Sequence, residues 1–194
     1  MDLLLIFLLA TGCTSTDASD KKVINEMHPD DITEIGFFQA GVDSIGKWII
    51  PPDIEICKDA NVTKEQVKSA ATWWQTRNYA FDKIYDNVEK GPCIGQSRFT
   101  YYAIVIRLPG QAYNFENYGS TIIYHENKKI LGVVIEISEA RERVLEHELG
   151  HALGWLHYSK RSHLMHPFWS KGGWNDDGLT AVEVDLSTQA PQID

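Results

Sequence analysis

Residues 147–157 carry three histidines and one glutamate at spacings that suit a single metal ion. On a helix, His147 and His151 lie one turn apart on the same face, where one Zn²⁺ can take a nitrogen from each at roughly 2.0–2.1 Å. Glu148 follows the first histidine and can reach the open side of the metal without ligating it. Gly154 suits a left-handed helix end, after which the chain can turn and bring His157 back as a third ligand. Three protein ligands leave a fourth position for water, which indicates a catalytic zinc site.

This arrangement predicts hydrolysis with one catalytic zinc ion as the cofactor. Zinc lowers the pKa of its water to about 7 and polarises a carbonyl oxygen. Glu148 would take the proton of that water as base and then pass it to the leaving amine. Because the three histidines bind zinc in their neutral form, we expect activity to fall as the pH drops toward about 6.5.

The eleven residues resemble the zinc-binding signature of the metzincin metallopeptidases. That family has a methionine turn shortly downstream, and here residues 162–167 supply a candidate with Met165. The string Leu-Met-His-Pro at 164–167 is similar to the Leu-Met-Tyr-Pro of matrixin-like members. The resemblance implies that Met165 packs beneath the zinc ion without ligating it. The tyrosine ligand that some metzincins place two residues after the methionine is absent, because that position is Pro167.

The rest of the chain predicts an α+β fold. Thr63 is a suitable N-cap with Gln66 at the capping-box position, so a helix is expected over 64–77. The motif itself predicts a second helix over 141–153, and Thr180 begins a short C-terminal helix that reaches about residue 187. Strands are expected at 53–57, 81–88, 99–108, 121–124 and 130–137. This order is similar to the metzincin catalytic domain, which has a twisted five-stranded mixed sheet, two long helices and a short C-terminal helix.

The resemblance also implies where a substrate would lie. The fourth strand of the family borders the cleft, and by order that strand contains Thr121, Ile122 and Ile123 here. An extended peptide could add to this edge by backbone hydrogen bonds. In the family the stretch after the methionine turn walls a substrate pocket, which makes Phe168 a candidate contact. The aromatic residues at 168, 169 and 174 could equally close a small core.

Composition sets the broad class of the protein. A length of 194 residues is enough for one domain with a sizeable core, and 43% hydrophobic with 23% charged residues is typical of a globular protein. The net charge of −9 argues against nucleic acid as a partner. We expect a monomer that acts on a peptide or protein substrate.

The N-terminal residues predict export. Residues 3–10 are continuously apolar but far too few to span a bilayer, which suits the core of a secretion signal. The small residues at 10–12 before Cys13 resemble a bacterial lipobox, which implies lipid attachment to Cys13. We therefore assign 1–12 to a signal peptide, 13–32 to a flexible tether and 33–194 to the peptidase domain. The location would be a membrane-anchored lipoprotein in the periplasm or on the cell surface. Ordinary secretion and a cytosolic N-terminus are the alternatives.

Two further cysteines remain if Cys13 is lipidated. In an oxidising compartment Cys57 and Cys93 would form a disulfide. The alternative is a pair of buried free thiols.

Three functions fit these residues. The first is a zinc-dependent endopeptidase that uses a Glu-activated water. The second is a zinc-stabilised, non-catalytic peptide-binding lipoprotein, although a binding protein has no need of Glu148. The third is a peptidase that acts on peptidoglycan cross-links.

Overall fold

The computed structural model describes residues 21–27, 42–110 and 117–181 of the chain. These residues form an α+β fold in which one mixed sheet packs against two α-helices. The helices are α1 (Lys64–Gln75) and α2 (Val144–Ala152), and a 3-10 turn covers Gly91–Ile94. The strands are β1 (Lys21–Met27), β2 (Asp53–Cys57), β3 (Ile84–Val88), β4 (Ala103–Arg107), β5 (Gly119–Glu126) and β6 (Lys129–Ile137).

The sheet has the order β1-β5-β6-β4-β2-β3. Strands β3, β2, β4 and β6 are mutually parallel, whereas β5 runs antiparallel to β6 and β1 antiparallel to β5. Strands β2 to β6 lie at the five positions that the sequence predicts. The β5–β6 hairpin turns through Asn127 and Lys128, whose φ angles of 49° and 62° suit the right-handed twist of a hairpin.

Strand β1 departs from the prediction. It lies within residues 13–32, which the sequence assigns to a flexible tether, and pairs with β5 from Lys21 opposite His125 to Met27 opposite Gly119. The physical reason is that an edge strand presents a row of backbone N–H and C=O groups. Another segment can pair with these groups even if its own side chains show no strand-like alternation. The predicted signal peptide 1–12 and Cys13 lie outside the described residues.

Helix α1 begins as predicted. The Thr63 hydroxyl accepts a hydrogen bond from the Gln66 N–H at 3.2 Å, and the Gln66 side chain accepts one from the Thr63 N–H at 2.8 Å. The predicted apolar face is buried, and it consists of Val67, Ala70, Ala71 and Trp74. The capping box therefore sets the first turn, and the apolar stripe directs the helix against the sheet.

Helix α2 is shorter than predicted. Arg143 has a φ of 70°, in the left-handed region, so the helix begins only at Val144. Trp74 fastens α1 to α2, because its indole N–H donates to the Glu146 carbonyl at 2.9 Å. No helix within the described ranges is long and apolar enough to cross a bilayer. Of the predicted C-terminal helix, only Thr180 and Ala181 fall inside those ranges.

The predicted disulfide is present. Cys57, the last residue of β2, is bonded to Cys93 in the 3-10 turn, with a Cα–Cα distance of 5.4 Å. The bridge closes a separation of 36 residues on the face of the sheet away from the helices.

Candidate metal centre and active site

Helix α2 presents two of the three histidines from one buried face. His147 and His151 have no solvent exposure, and His157 follows the end of the helix in a half-buried position. The candidate ligand nitrogens of the three rings all lie within 4.8 Å of one another. The structure therefore brings the predicted ligand set together as a group that could hold a metal ion.

Backbone carbonyls fix which nitrogen of each helical histidine faces the centre. Nδ1 of His147 lies 2.7 Å from the Leu164 carbonyl, and Nδ1 of His151 lies 2.7 Å from the Trp155 carbonyl. A carbonyl only accepts, so each Nδ1 must carry the proton and donate it. In the neutral rings both Nε2 atoms then hold lone pairs, although they lie only 3.0 Å apart. Two lone pairs at this distance repel each other unless a cation lies between them.

A proton is poorly suited to be that cation. Burial, reinforced by charge repulsion from neighbouring histidines, lowers the pKa of His147 to about 4 and holds the pKa of His151 well below its usual value. Both rings are therefore neutral at neutral pH, which is the form that ligates a metal. The carbonyl partners are the usual orienting contacts of metal-bound imidazoles. The donor set fits a metal ion better than it fits a protonated cluster.

The turn after α2 brings His157 back, and it depends on a distant part of the chain. Gly154 has a φ of 105°, as the sequence predicts for the helix end. Its carbonyl accepts a hydrogen bond from the Ile45 N–H at 2.8 Å, and the Leu156 N–H donates to the Asp43 carbonyl at 2.8 Å. A side chain at Gly154 would collide with the backbone carbonyl of Gly46. Residues 43–46 therefore clamp the turn, a contact that sequence reasoning missed.

Residues 162–167, the candidate methionine turn, pack against α2. Met165 is fully buried, and the carbonyl of the preceding Leu164 is the group that orients His147. The sulfur of Met165 packs against Gly150 so closely that a Cβ there would overlap it. His163 holds the turn through Nδ1, which accepts from the Met165 N–H at 3.1 Å. Met165 thus packs against α2, and the Leu164 carbonyl is an additional contact with the helix.

Glu148 follows His147 on α2 and is completely buried. Its Oε2 atom accepts a hydrogen bond from the Thr121 hydroxyl at 2.6 Å, while the Glu148 carbonyl lies 3.2 Å from the same hydroxyl. A hydroxyl has one proton, so the shorter contact takes it. A Cβ built on Gly119 would lie 2.7 Å from Oε1, so only glycine leaves room for this carboxylate. The sequence offered Thr121 as a substrate contact and gave no sign of its contact with Glu148.

The other predicted substrate-binding residues are Ile122 and Ile123 on β5 and Phe168, which follows the turn at 162–167. Ile123 is fully buried in the core between sheet and helices, whereas Ile122 is half-buried on the opposite face. Phe168 is half-buried, with its ring 5.8 Å from that of His166. Their roles toward a substrate remain predictions.

The aromatic residues after the turn make protein contacts of their own. The indole N–H groups of Trp169 and Trp174 donate to the backbone carbonyl and the carboxylate of Glu142, at 2.9 and 3.1 Å. The Trp174 ring also lies 6.0 Å from that of Trp73. These contacts tie the segment to the residues before α2. Trp169 packs against the main core, whereas Trp174 is 44% exposed, so the small-core interpretation fits Trp169 alone of the two.

Comparison of the chain with models of known protein families, with curated proteins and with solved structures finds no match.

Proposed function

We propose that this protein is a zinc-dependent endopeptidase of the metzincin type. The observation that carries the proposal is the arrangement on and after α2: three histidine nitrogens lie within 4.8 Å of one another, and the buried Glu148 follows His147 on the same helix. Orienting carbonyls, a base and an adjacent strand edge are the parts that metal-assisted peptide hydrolysis requires.

Zinc is the metal that suits this donor set best. Three neutral imidazoles match the ligands of catalytic zinc sites, which keep a further position open. When bound, the ion would supply a Lewis acid for the scissile carbonyl and lower the pKa of the attacking water. His147, His151 and His157 would hold it.

Glu148 would move the proton. A peptide bond breaks only if the leaving amine gains a proton, and the attacking water must lose one. Glu148 can serve both steps, first by accepting the proton on its carboxylate and then by delivering it to the amine. The Thr121 hydroxyl, 2.6 Å from Oε2, would hold that carboxylate in one orientation.

The matrixin-like assignment is supported by two features. The turn at 164–167 reads Leu-Met-His-Pro, and the mixed sheet has β5 as its antiparallel strand beside α2. An extended peptide along β5 would pass next to Glu148, because Gly119 and Thr121 of this strand both touch its carboxylate.

The test is proteolysis of a mixed peptide library by the zinc-loaded chain beside a Glu148→Gln variant. We expect cleavage by the first and none by the second, with one zinc ion bound to each. Equal cleavage by both would remove Glu148 from the mechanism. Peptide binding without cleavage by either would favour the non-catalytic binding protein. Cross-linked peptidoglycan peptides belong in the same panel, because cleavage of these alone would identify the third function.

Export is a separate part of the proposal. It is supported by the disulfide between Cys57 and Cys93, which persists in an oxidising compartment, and by the lipobox-like residues before Cys13. Membrane fractionation of cells expressing the protein and a Cys13→Ser variant tests the lipid anchor. We expect the first in the membrane fraction and the variant in the soluble one; the same fraction for both would contradict lipidation.

A further inference from the structure

Strand β5 has two hydrogen-bonding edges, and its register with β6 decides which residues serve each edge. The Ser138 N–H donates to the Tyr118 carbonyl at 3.0 Å, one step before the first paired residues of the two strands. Hydrogen-bonded and non-bonded pairs alternate along an antiparallel ladder. Gly119, Thr121 and Ile123 therefore occupy non-bonded positions toward β6. Their backbone N–H and C=O groups point to the other edge.

Strand β1 lies on that other edge. Its register with β5 sets Val23, Asn25 and Met27 opposite Ile123, Thr121 and Gly119. By the same alternation, these three β1 residues direct their backbone groups toward β5, while Ile24 and Glu26 direct theirs away. Residues 21–27 thus use the backbone groups of β5 that an added peptide would need.

The second half of β1 also runs past the candidate active site. Gly119 and Thr121, which pair with Met27 and Asn25, are the two β5 residues that touch the carboxylate of Glu148. Strand β1 contacts α2 as well, the helix that carries the base and two of the histidines. A peptide extended along β5 to Glu148 would have to occupy the path of β1.

We propose that β1 is an autoinhibitory strand that competes with the substrate. It occupies the peptide-binding edge of β5 until β1 is displaced. This inference rests on the proposed function, because it takes the substrate to be a peptide that adds to β5. The binding-competent form is then the fraction of molecules in which β1 has left the edge. The apparent affinity for a substrate falls in proportion to that fraction.

Alternation along β1 supplies a matched pair of variants in the full chain. Val23→Pro with Asn25→Pro removes two N–H groups that point to β5 and puts proline rings in their place. Ile24→Pro with Glu26→Pro introduces the same number of prolines where the N–H groups point away, a position that edge strands tolerate. The two double variants share the effects of proline on the chain and differ in the pairing with β5.

Amide hydrogen exchange tests whether β1 is seated, and it needs no catalysis. In the 23/25 variant we expect the amides of Gly119, Thr121 and Ile123 to exchange about tenfold faster or more, because two backbone hydrogen bonds are lost. The amides of Ser120 and Ile122, which face β6, should keep their protection and serve as the internal control. Unchanged exchange of the three amides in the 23/25 variant, or equal acceleration in the 24/26 variant, would overturn the inference.

Peptide hydrolysis tests whether the seated strand competes. We expect the 23/25 variant to show a KM about tenfold lower with kcat unchanged, and the 24/26 variant to match the wild-type chain. Faster exchange without any change in KM would also overturn the inference, since β1 would then lie outside the substrate path.

If no variant cleaves peptides, the proposed function fails. In that case NMR titration with the synthetic peptide Lys-Lys-Val-Ile-Asn-Glu-Met decides the inference. Competition is supported if the peptide shifts the signals of Gly119, Thr121 and Ile123 in the 23/25 variant and binds this variant at least tenfold more tightly than the wild-type chain. Equal affinity for the two proteins overturns it.

Discussion

Replacing Thr121 by valine removes the hydroxyl that holds Glu148 and leaves the shape of the side chain almost unchanged. Thr121 is fully buried, and its hydroxyl lies 2.6 Å from Oε2 of Glu148. A hydrogen bond to a charged group contributes about 1.5–3 kcal/mol. Each 1.4 kcal/mol or so corresponds to a factor of ten in rate. If the whole contribution is felt in the transition state, kcat falls roughly 10- to 150-fold.

The assay is steady-state hydrolysis of a peptide found in the library screen, with zinc content measured on the same samples. We expect kcat to fall while KM and the single bound zinc ion are retained, because the Thr121 hydroxyl donates its hydrogen bond to Glu148, which is not one of the three candidate ligands. Thr121→Ser is the matched control, since it keeps the hydroxyl and should retain most of the activity. A valine variant with wild-type kcat, or a serine variant as impaired as the valine one, would refute the positioning role.

Three further predictions concern stability and are read from denaturant or thermal unfolding. Gly150→Ala should lower the free energy of unfolding by about 1–3 kcal/mol, because a Cβ at this position would overlap the sulfur of Met165. This cost should exceed the gain from the better helix propensity of alanine, and a higher Tm would contradict the prediction. In the metal-free protein, the free energy of unfolding should be highest above pH 6.5 and should fall as the pH drops toward 4. The reason is that burial lowers the pKa of His147 to about 4, whereas a histidine in the unfolded chain binds a proton near pH 6.5. This group accounts for a loss of at most about 3 kcal/mol, and a free energy of unfolding that does not change with pH would contradict the prediction. Replacing Cys57 and Cys93 by alanine should cost roughly 4 kcal/mol, since the bridge closes a separation of 36 residues, and an unchanged midpoint would show that the bridge does not constrain the unfolded chain.

Local sequence signals predicted the parts of the fold that depend on neighbouring residues. The capping box at Thr63 and Gln66 fixes the start of α1, and the spacing of the motif places His147 and His151 on one face of α2. The left-handed Gly154 was predictable because few other residues adopt that conformation without strain. Such features need only a few consecutive residues.

Other parts depend on residues far apart in the chain, and the sequence could not reveal them. The clamp of residues 43–46 on the turn after α2 consists of backbone hydrogen bonds, which leave no side-chain signature. The pairing of β1 with β5 is of the same kind. Thr121 on β5 and Glu148 on α2 are 27 residues apart in sequence, so their contact depends on how the strand packs against the helix. Contacts between distant parts of the chain therefore limit how much of the site a single sequence can predict.

The proton positions on the histidines add a physical argument that the motif alone lacks. The carbonyls of Leu164 and Trp155 require the proton on Nδ1 of their partner rings, which turns both Nε2 lone pairs toward one point. This geometry explains why a cation would stabilise the site, whereas the spacing of the motif indicates only that the rings can approach each other.

The most direct test of the proposed zinc site is a zinc titration of the metal-free protein with peptide hydrolysis followed at each step. We expect the rate to rise linearly to one equivalent of zinc and then remain constant. The Glu148→Gln variant should bind the same single equivalent and stay inactive. Hydrolysis without zinc, a rate that keeps rising beyond one equivalent, or an active Glu148→Gln variant would contradict a single three-histidine zinc site served by this glutamate.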